Sequence, residues 1–201
     1  MRKIIIITAL VFIYINTVAQ SKLFIDSKKS EFVWIGKKIG GEHKGNIIIS
    51  SGELNVSKDN QILSASFEVD MGSITCSDLS DKSLNSKLVG HLKSPDFFDT
   101  EKYPKAFFTI KPGTKIEKGS TLVKGELTIK GIKKPIEFKA MFVPSSEGQK
   151  VFANFSVDRS KFNVKYGSGS FFENLGDKAI YDDFDVFLNL VFTKDNGTAE
   201  K

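Results

Sequence analysis

An all-β domain of about eight antiparallel strands is what this 201-residue sequence predicts, on two observations. Apolar and polar residues alternate with a period of two in one segment after another, as in strands buried on one face. A single stretch, 77–93, breaks that rhythm with leucines four apart, the spacing of one helical face. Strands with one apolar face each must pair as a sandwich or close as a barrel. Their other faces are rich in Lys, Glu, Ser and Thr, which excludes an outer-membrane barrel, whose outward face is apolar.

Met1-Arg2-Lys3 is a short basic start, residues 4–15 are almost unbroken hydrocarbon, and Thr17-Val18-Ala19 offers small or modest residues for cleavage. That is the pattern of a secretory signal peptide; about twelve apolar residues fall short of the roughly 20 a spanning helix needs. The expected layout is a cleaved signal over 1–19, one β domain over 20–193 and a polar tail over 194–201. The mature chain is then periplasmic or secreted and does not span a membrane.

Phe32–Lys38 and His43–Val56 open the strand series, the second readable as two strands broken near Ser51-Gly52. In Ile62–Ile74, Leu63, Ala65, Phe67, Val69 and Met71 share one face. Ser77-Asp78 caps a helical segment reaching Lys93, with Leu84, Leu88 and Leu92 on one side. Ser94-Pro95-Asp96 starts a further short turn carrying Phe97 and Phe98. Lys105–Glu117, Thr121–Lys130, Pro135–Val143, Val151–Val157 and Phe184–Phe192 complete the strands, with Gly131–Lys134 and Ser145–Gly148 as hairpin connections. Phe107, Phe152 and Phe187 stand on otherwise polar faces, which places them under the helical segment or in a subunit contact.

Composition removes several function classes. Eighteen phenylalanines and 40% hydrophobic residues are enough to bury against the entropy of folding, so the chain is not disordered. The net charge of +5 is spread along the chain, and falls to +3 once Arg2 and Lys3 leave; no basic stripe points to nucleic acid. One cysteine, Cys76, excludes an internal disulfide scaffold and a CxxC site, and reads as a buried bystander. The two histidines, His43 and His91, lie in no ligand spacing. There is no GxSxG elbow, and Gly167-Ser168-Gly169-Ser170 fails as a dinucleotide loop because Phe172 takes the third glycine position. No catalytic residue, no metal site and no resident cofactor is therefore expected. From Gln20 on, 26 of 27 basic residues are lysine. The exception, Arg159, has the planar fork suited to a structural clamp or a ligand head group.

Val33-Trp34, Gly41-Glu42-His43-Lys44-Gly45, the block 67–74, Gly90-His91-Leu92-Lys93-Ser94-Pro95-Asp96-Phe97-Phe98-Asp99 with Tyr103-Pro104 and Phe108, Gly125–Gly131 and Asp158-Arg159-Ser160-Lys161-Phe162 occur in that order. Together they resemble the YceI-like proteins from about Leu23 to Phe192. The resemblance implies an eight-stranded antiparallel, lipocalin-like barrel with one short helical insertion. It also implies export to the periplasm and a polyisoprenoid, quinone or similar long apolar lipid held in an internal cavity. Members often pair as homodimers. Asn163, where many members carry glycine, and the stretch 166–183 depart from the family pattern.

The inward candidates for a cavity wall are Trp34, Phe67, Val69, Phe108, Leu127, Phe138, Phe142, Phe155, Phe184 and Leu188, with His43, His91 and Arg159 as polar contacts. Alternation alone does not separate a lined tunnel from a filled core, because an eight-stranded barrel suits either. The leading expectation is a non-catalytic lipid carrier or scavenger. Its competitors are an enzyme acting on such a lipid, with His91 or His43 as base, and a structural module with a filled core.

Overall fold

The computed structural model describes residues 20–117 and 119–194; the expected signal peptide, and all of the polar tail but Lys194, lie outside them. The strands are β1 (Gln20–Ile25), β2 (Glu31–Lys38), β3 (Gly41–Asn46), β4 (Ile48–Ser57), β5 (Gln61–Asp70), β6 (Lys105–Ile110), β7 (Thr114–Lys115), β8 (Ser120–Ile129), β9 (Ile132–Pro144), β10 (Gly148–Asp158) and β11 (Ile180–Thr193). One helix, α1 (Lys82–Lys93), follows β5.

Register shows how eleven strands make an eight-stranded barrel. β1 and β2 both pair antiparallel with β11, Ile25 facing Phe192 and Glu31 facing Asn189. β4 pairs with β1 and β3 pairs with β2. β1 and β2 together therefore fill one position in the ring, and β3 and β4 together fill the next. β5, β6, β8, β9 and β10 continue as an antiparallel meander to β11, and the β1–β11 pairing closes the sheet. Closure leaves no open edge along that contact. Along β10 the pleat sends Val151, Ala153 and Val157 inward, while Lys150, Asn154 and Ser156 face water.

Several boundaries differ from the sequence expectation, each for a local reason. β1 is an additional strand, short and buried chiefly at Leu23, too little alternation to read in isolation. The break in His43–Val56 falls at Ile47 rather than at Ser51-Gly52. A register shift between Asn55 and Val56 opposite β5 lets Ile62, fully buried, face inward, with Leu63 only half-buried. Past Asp70 the chain leaves the sheet in a short 3-10 turn, Met71–Ser73. Lys105–Glu117 divides into β6 and β7 around a turn at Gly113, whose φ is +91°. The β8–β9 connection is the pair Lys130-Gly131, with φ of +50° and +73°, so β9 already begins at Ile132. The Ser145–Gly148 connection stands, its turn occupying 145–147.

The helix begins five residues later than Ser77. Ser77 and Asp78 do not cap it because β3 claims them: the Ser77 amide donates to Lys44 O (2.8 Å) and Asp78 Oδ1 accepts from the Lys44 amide (2.9 Å). Asp81 is the cap, its carboxylate accepting from the Leu84 amide (2.9 Å). Of the leucine stripe, Leu92 is buried, Leu88 half-buried and Leu84 55% exposed. The turn after Ser94 forms, with the Phe97 and Asp99 amides donating to Ser94 O, and buries both Phe97 and Phe98. Phe107 and Phe187 are exposed on the outer wall, so neither lies beneath the helical segment; Phe152 is half-buried there, in register with Met141.

Candidate functional site

The inward faces of the strands surround an apolar lumen of about 180 Å³. All ten wall candidates line it, and among the described residues Arg159 is the one charged lining group. Phe155 and Phe138 stack at 4.0 Å between ring centres, and Phe138, Phe108 and Phe67 continue the row at 5.6 and 6.0 Å. Phe192 meets Phe67 edge-on at 5.9 Å. Gly125 on β8 makes that row continuous: a Cβ there would lie 2.5 Å from the Phe108 ring, so only a glycine lets Phe108 cross β8 toward Phe138.

Leu92, Phe97 and Phe98 from α1 and its following turn, with Met71 and Ile74, line the lumen where β5 ends and β6 begins. Arg159 holds the neighbouring loop. Its Nε donates to Tyr181 O (3.1 Å), Nη1 to Val164 O (2.8 Å) and Nη2 to Ile180 O (3.0 Å). Asp182 lies 3.5 Å from Nη2, and the guanidinium sits over the Phe97 ring at 5.3 Å. Arg159 is 2% exposed; burial pushes its pKa down, opposed by Asp182 and Asp158. Three backbone carbonyls accept from its nitrogens and Asp182 stands beside it as an ion-pair partner, so it acts as a clamp that also forms part of the cavity wall.

Neither histidine joins the lining. His91, on α1, packs edge-on against Tyr166 (4.2 Å) and Phe97 (5.8 Å). His43, on β3, has Nδ1 2.9 Å from Asp78 Oδ2. The structure thus places both histidines, expected as polar contacts, outside the lining, although Leu92, Phe97 and Phe98 from the His91 block belong to it.

The family model for the YceI-like domain matches residues 24–192. The chain belongs to the YceI-like family. A UPF0312 protein of Photorhabdus laumondii is 33% identical over 90 residues, 44% of this chain and 45% of that protein; the chain spans under half the length of the curated relatives it matches. Among solved structures, Burkholderia cenocepacia BcnA superposes with a TM-score of 0.65 at 23% identity, covering 83% of this chain and 98% of that one. A polyisoprenoid-binding domain from Saccharophagus degradans, implicated in plant cell wall breakdown, gives 0.60 at 13% identity, covering 87% and 99%. At these identities the likeness is one of fold.

Membership explains one departure from the family pattern. Asn163 adopts a left-handed backbone, φ +59°, where it ends the turn 159–162. Glycine takes that conformation freely, and asparagine is among the few other residues that tolerate it. Several lining residues were not singled out for the wall from the sequence, among them Phe32, Met71, Phe97, Phe98, Leu190 and Phe192. Leu190 and Phe192 continue the alternation of Phe184 and Leu188, a signal that could have found them. Met71, Phe97 and Phe98 come from turns, where periodicity carries no such signal.

Proposed function

We propose that this YceI-like protein is a non-catalytic carrier or scavenger that holds a long apolar lipid, of polyisoprenoid or quinone type, within its barrel. The observation that carries this reading is the aromatic-walled lumen whose one charged lining group among the described residues, Arg159, is already occupied by protein partners. The Saccharophagus degradans polyisoprenoid-binding domain shares the fold and supports a prenyl-type guest. A dry apolar cavity of roughly 150 Å³ is enough to bind benzene, so the lumen has room for a ring or a short prenyl segment. A longer chain extends past one end or turns aside wall rings. Each five-carbon unit contributes about 3 to 4 kcal/mol gross from burial, so a few units offset an association cost of roughly 4 to 15 kcal/mol.

The basic start and the apolar run over 4–15 support export to the periplasm or secretion. Homodimer formation belongs to the same reading and is measured by light scattering of the purified protein. Organic extraction of that protein followed by mass spectrometry tests the central claim. A prenol or quinone in near-stoichiometric amount is expected. Absence of lipid, together with failure to take up added prenols and quinones, overturns it. Leu127→Trp fills the lumen and is expected to abolish uptake while the barrel folds; unchanged uptake places the guest elsewhere. Recovery of chemically altered lipid after incubation would reject the non-catalytic half of the reading.

A further inference from the structure

Outside the lumen, three side chains with metal-ligating atoms meet at the edge of β3. His43, Cys76 and Asp78 each offer one donor, and these donors lie within 4.8 Å of one another. Asp78 Oδ2 is 2.9 Å from His43 Nδ1, and the Cys76 thiol donates to Asp78 Oδ1 at 3.2 Å. The cluster is built by two segments remote in sequence. After the turn at 71–73 the chain runs beside β3, the Thr75 amide donating to Asn46 O (2.9 Å) and the Ser77 amide to Lys44 O (2.8 Å). Gly45 permits that approach, since a Cβ there would stand 1.8 Å from Thr75 O.

We propose that His43, Cys76 and Asp78 form a binding site for one borderline-soft divalent cation of the zinc class. The donor set is one imidazole nitrogen, one sulfur and one carboxylate oxygen, the atom types zinc takes. Three protein ligands with a fourth position left to water is the usual arrangement of an open zinc site. Bond lengths of about 2.0 to 2.3 Å to these atoms put tetrahedral donors roughly 3.3 to 3.8 Å apart, so donors within 4.8 Å of one another need to shift by no more than about 1.5 Å to enclose an ion. The carboxylate is already oriented: Oδ1 is held by the Lys44 amide (2.9 Å), which leaves Oδ2 on the histidine side. Outer-shell bonds of this kind fix a ligand's direction. Cys76 is buried, while the His43 and Asp78 side chains are 31% and 25% exposed. An ion therefore has a path from solvent and a sheltered sulfur to meet. Binding breaks the Cys76 S–H bond, the proton passing to buffer, and forms a metal–thiolate bond; no oxidant or reductant is needed.

The test uses the reduced, metal-stripped full chain, freed of lipid so that the outcome is independent of the lumen. Titration with Zn²⁺ against a competing chelator is expected to give one equivalent bound. Co²⁺ in its place is expected to give a near-ultraviolet thiolate-to-metal charge-transfer band, a readout that needs no variant. Cys76→Ser is expected to remove the band. Cys76→Ser and His43→Gln are each expected to weaken Zn²⁺ binding by more than the roughly 10- to 100-fold lost with an outer-shell partner, while His91→Ala leaves it unchanged. Fluorescence of the one tryptophan confirms folding, because Trp34 Nε1 donates to Thr75 O (3.1 Å), next to the proposed sulfur ligand. Absence of a bound equivalent overturns the proposal. So does Zn²⁺ binding that survives both substitutions at unchanged affinity, and so does a Co²⁺ complex without the thiolate band.

Discussion

At one end of the barrel, β4 and β5, and β9 and β10, are joined by three-residue turns, 58–60 and 145–147, each closed by a local backbone hydrogen bond. Among the described residues, their remote contacts are only those from the Ile116 amide to Asn60 O and from Lys29 to the exposed Glu147. The Asn60 amide donates to Ser57 O, and Ser145 and Gly148 exchange a pair of bonds. At the other end, the connections 71–104 and 159–179 fold over the lumen and are held by groups far apart in sequence. Arg159 reaches carbonyls up to 22 residues away, and Trp34 reaches one 41 residues away. A turn that closes within itself survives the loss of one contact; a cap assembled around a buried cation does not. The plain end is therefore expected to tolerate substitution and the capped end to concentrate stability.

The largest effect that sharpens this contrast is expected from Arg159→Met, which strands three carbonyls and Asp182 at the capped end. Removing one partner of such a buried network costs roughly 3 to 5 kcal/mol, read as a shift in the denaturant midpoint. Arg159→Lys is expected to recover only part of it, because an ammonium does not span the three acceptors. A loss below about 1 kcal/mol for Arg159→Met, the range of an exposed ion pair, breaks the contrast.

Gly45→Ala comes next. Its Cβ would collide with Thr75 O and push the 74–78 segment from β3, with an overpacking cost of about 1 to 3 kcal/mol. Loss of the Trp34–Thr75 bond is expected to change the Trp34 emission, and an unaltered spectrum with unaltered stability counts against that packing. At the plain end, Asn60 has a φ of +58°. Asn60→Ala is expected to cost about 1 kcal/mol, and Asn60→Gly close to nothing. A larger loss there than at Gly45 reverses the ranking of the two ends.

The smallest effect lies on the wall, where Asp185 on β11 pairs with Lys37 and accepts from Ser156. The Lys37 and Ser156 hydrogen bonds hold the Asp185 carboxyl below its ordinary 3.8. A lowered folded-state pKa gives stability that is present above 3.8 and lost as pH falls below it. The stability difference between the protein and Asp185→Asn, at most about 1 kcal/mol for so exposed a pair, is expected to shrink over that acidic range. A difference constant with pH assigns the effect to packing.

The same contrast between ends marks how far the sequence was legible. The wall could be read because it lies on strands: Phe67 and Val69, or Phe184 and Leu188, face inward by the two-residue pleat, which neighbouring residues set on their own. The cap was legible only as motifs. His43 and His91 stood out by residue type, yet their positions depend on which strand edge and which turn they meet. Asp78 looked like a helix cap because a side-chain oxygen before a helical run normally serves as one; β3 offered it the Lys44 amide and the His43 ring instead. The grouping of His43 with Cys76, 33 residues on, follows no ligand spacing.

By itself, the sequence determined the strand-rich class, the inward faces and the family, since alternation and short motifs are local properties of the chain. Tertiary structure decided that the sheet closes through β1 and β11, that Arg159 is a clamp, and that a histidine, a cysteine and an aspartate meet outside the lumen. These outcomes depend on register and approach between segments distant along the chain. That free energy comes from the whole packed sheet, and no single segment encodes it.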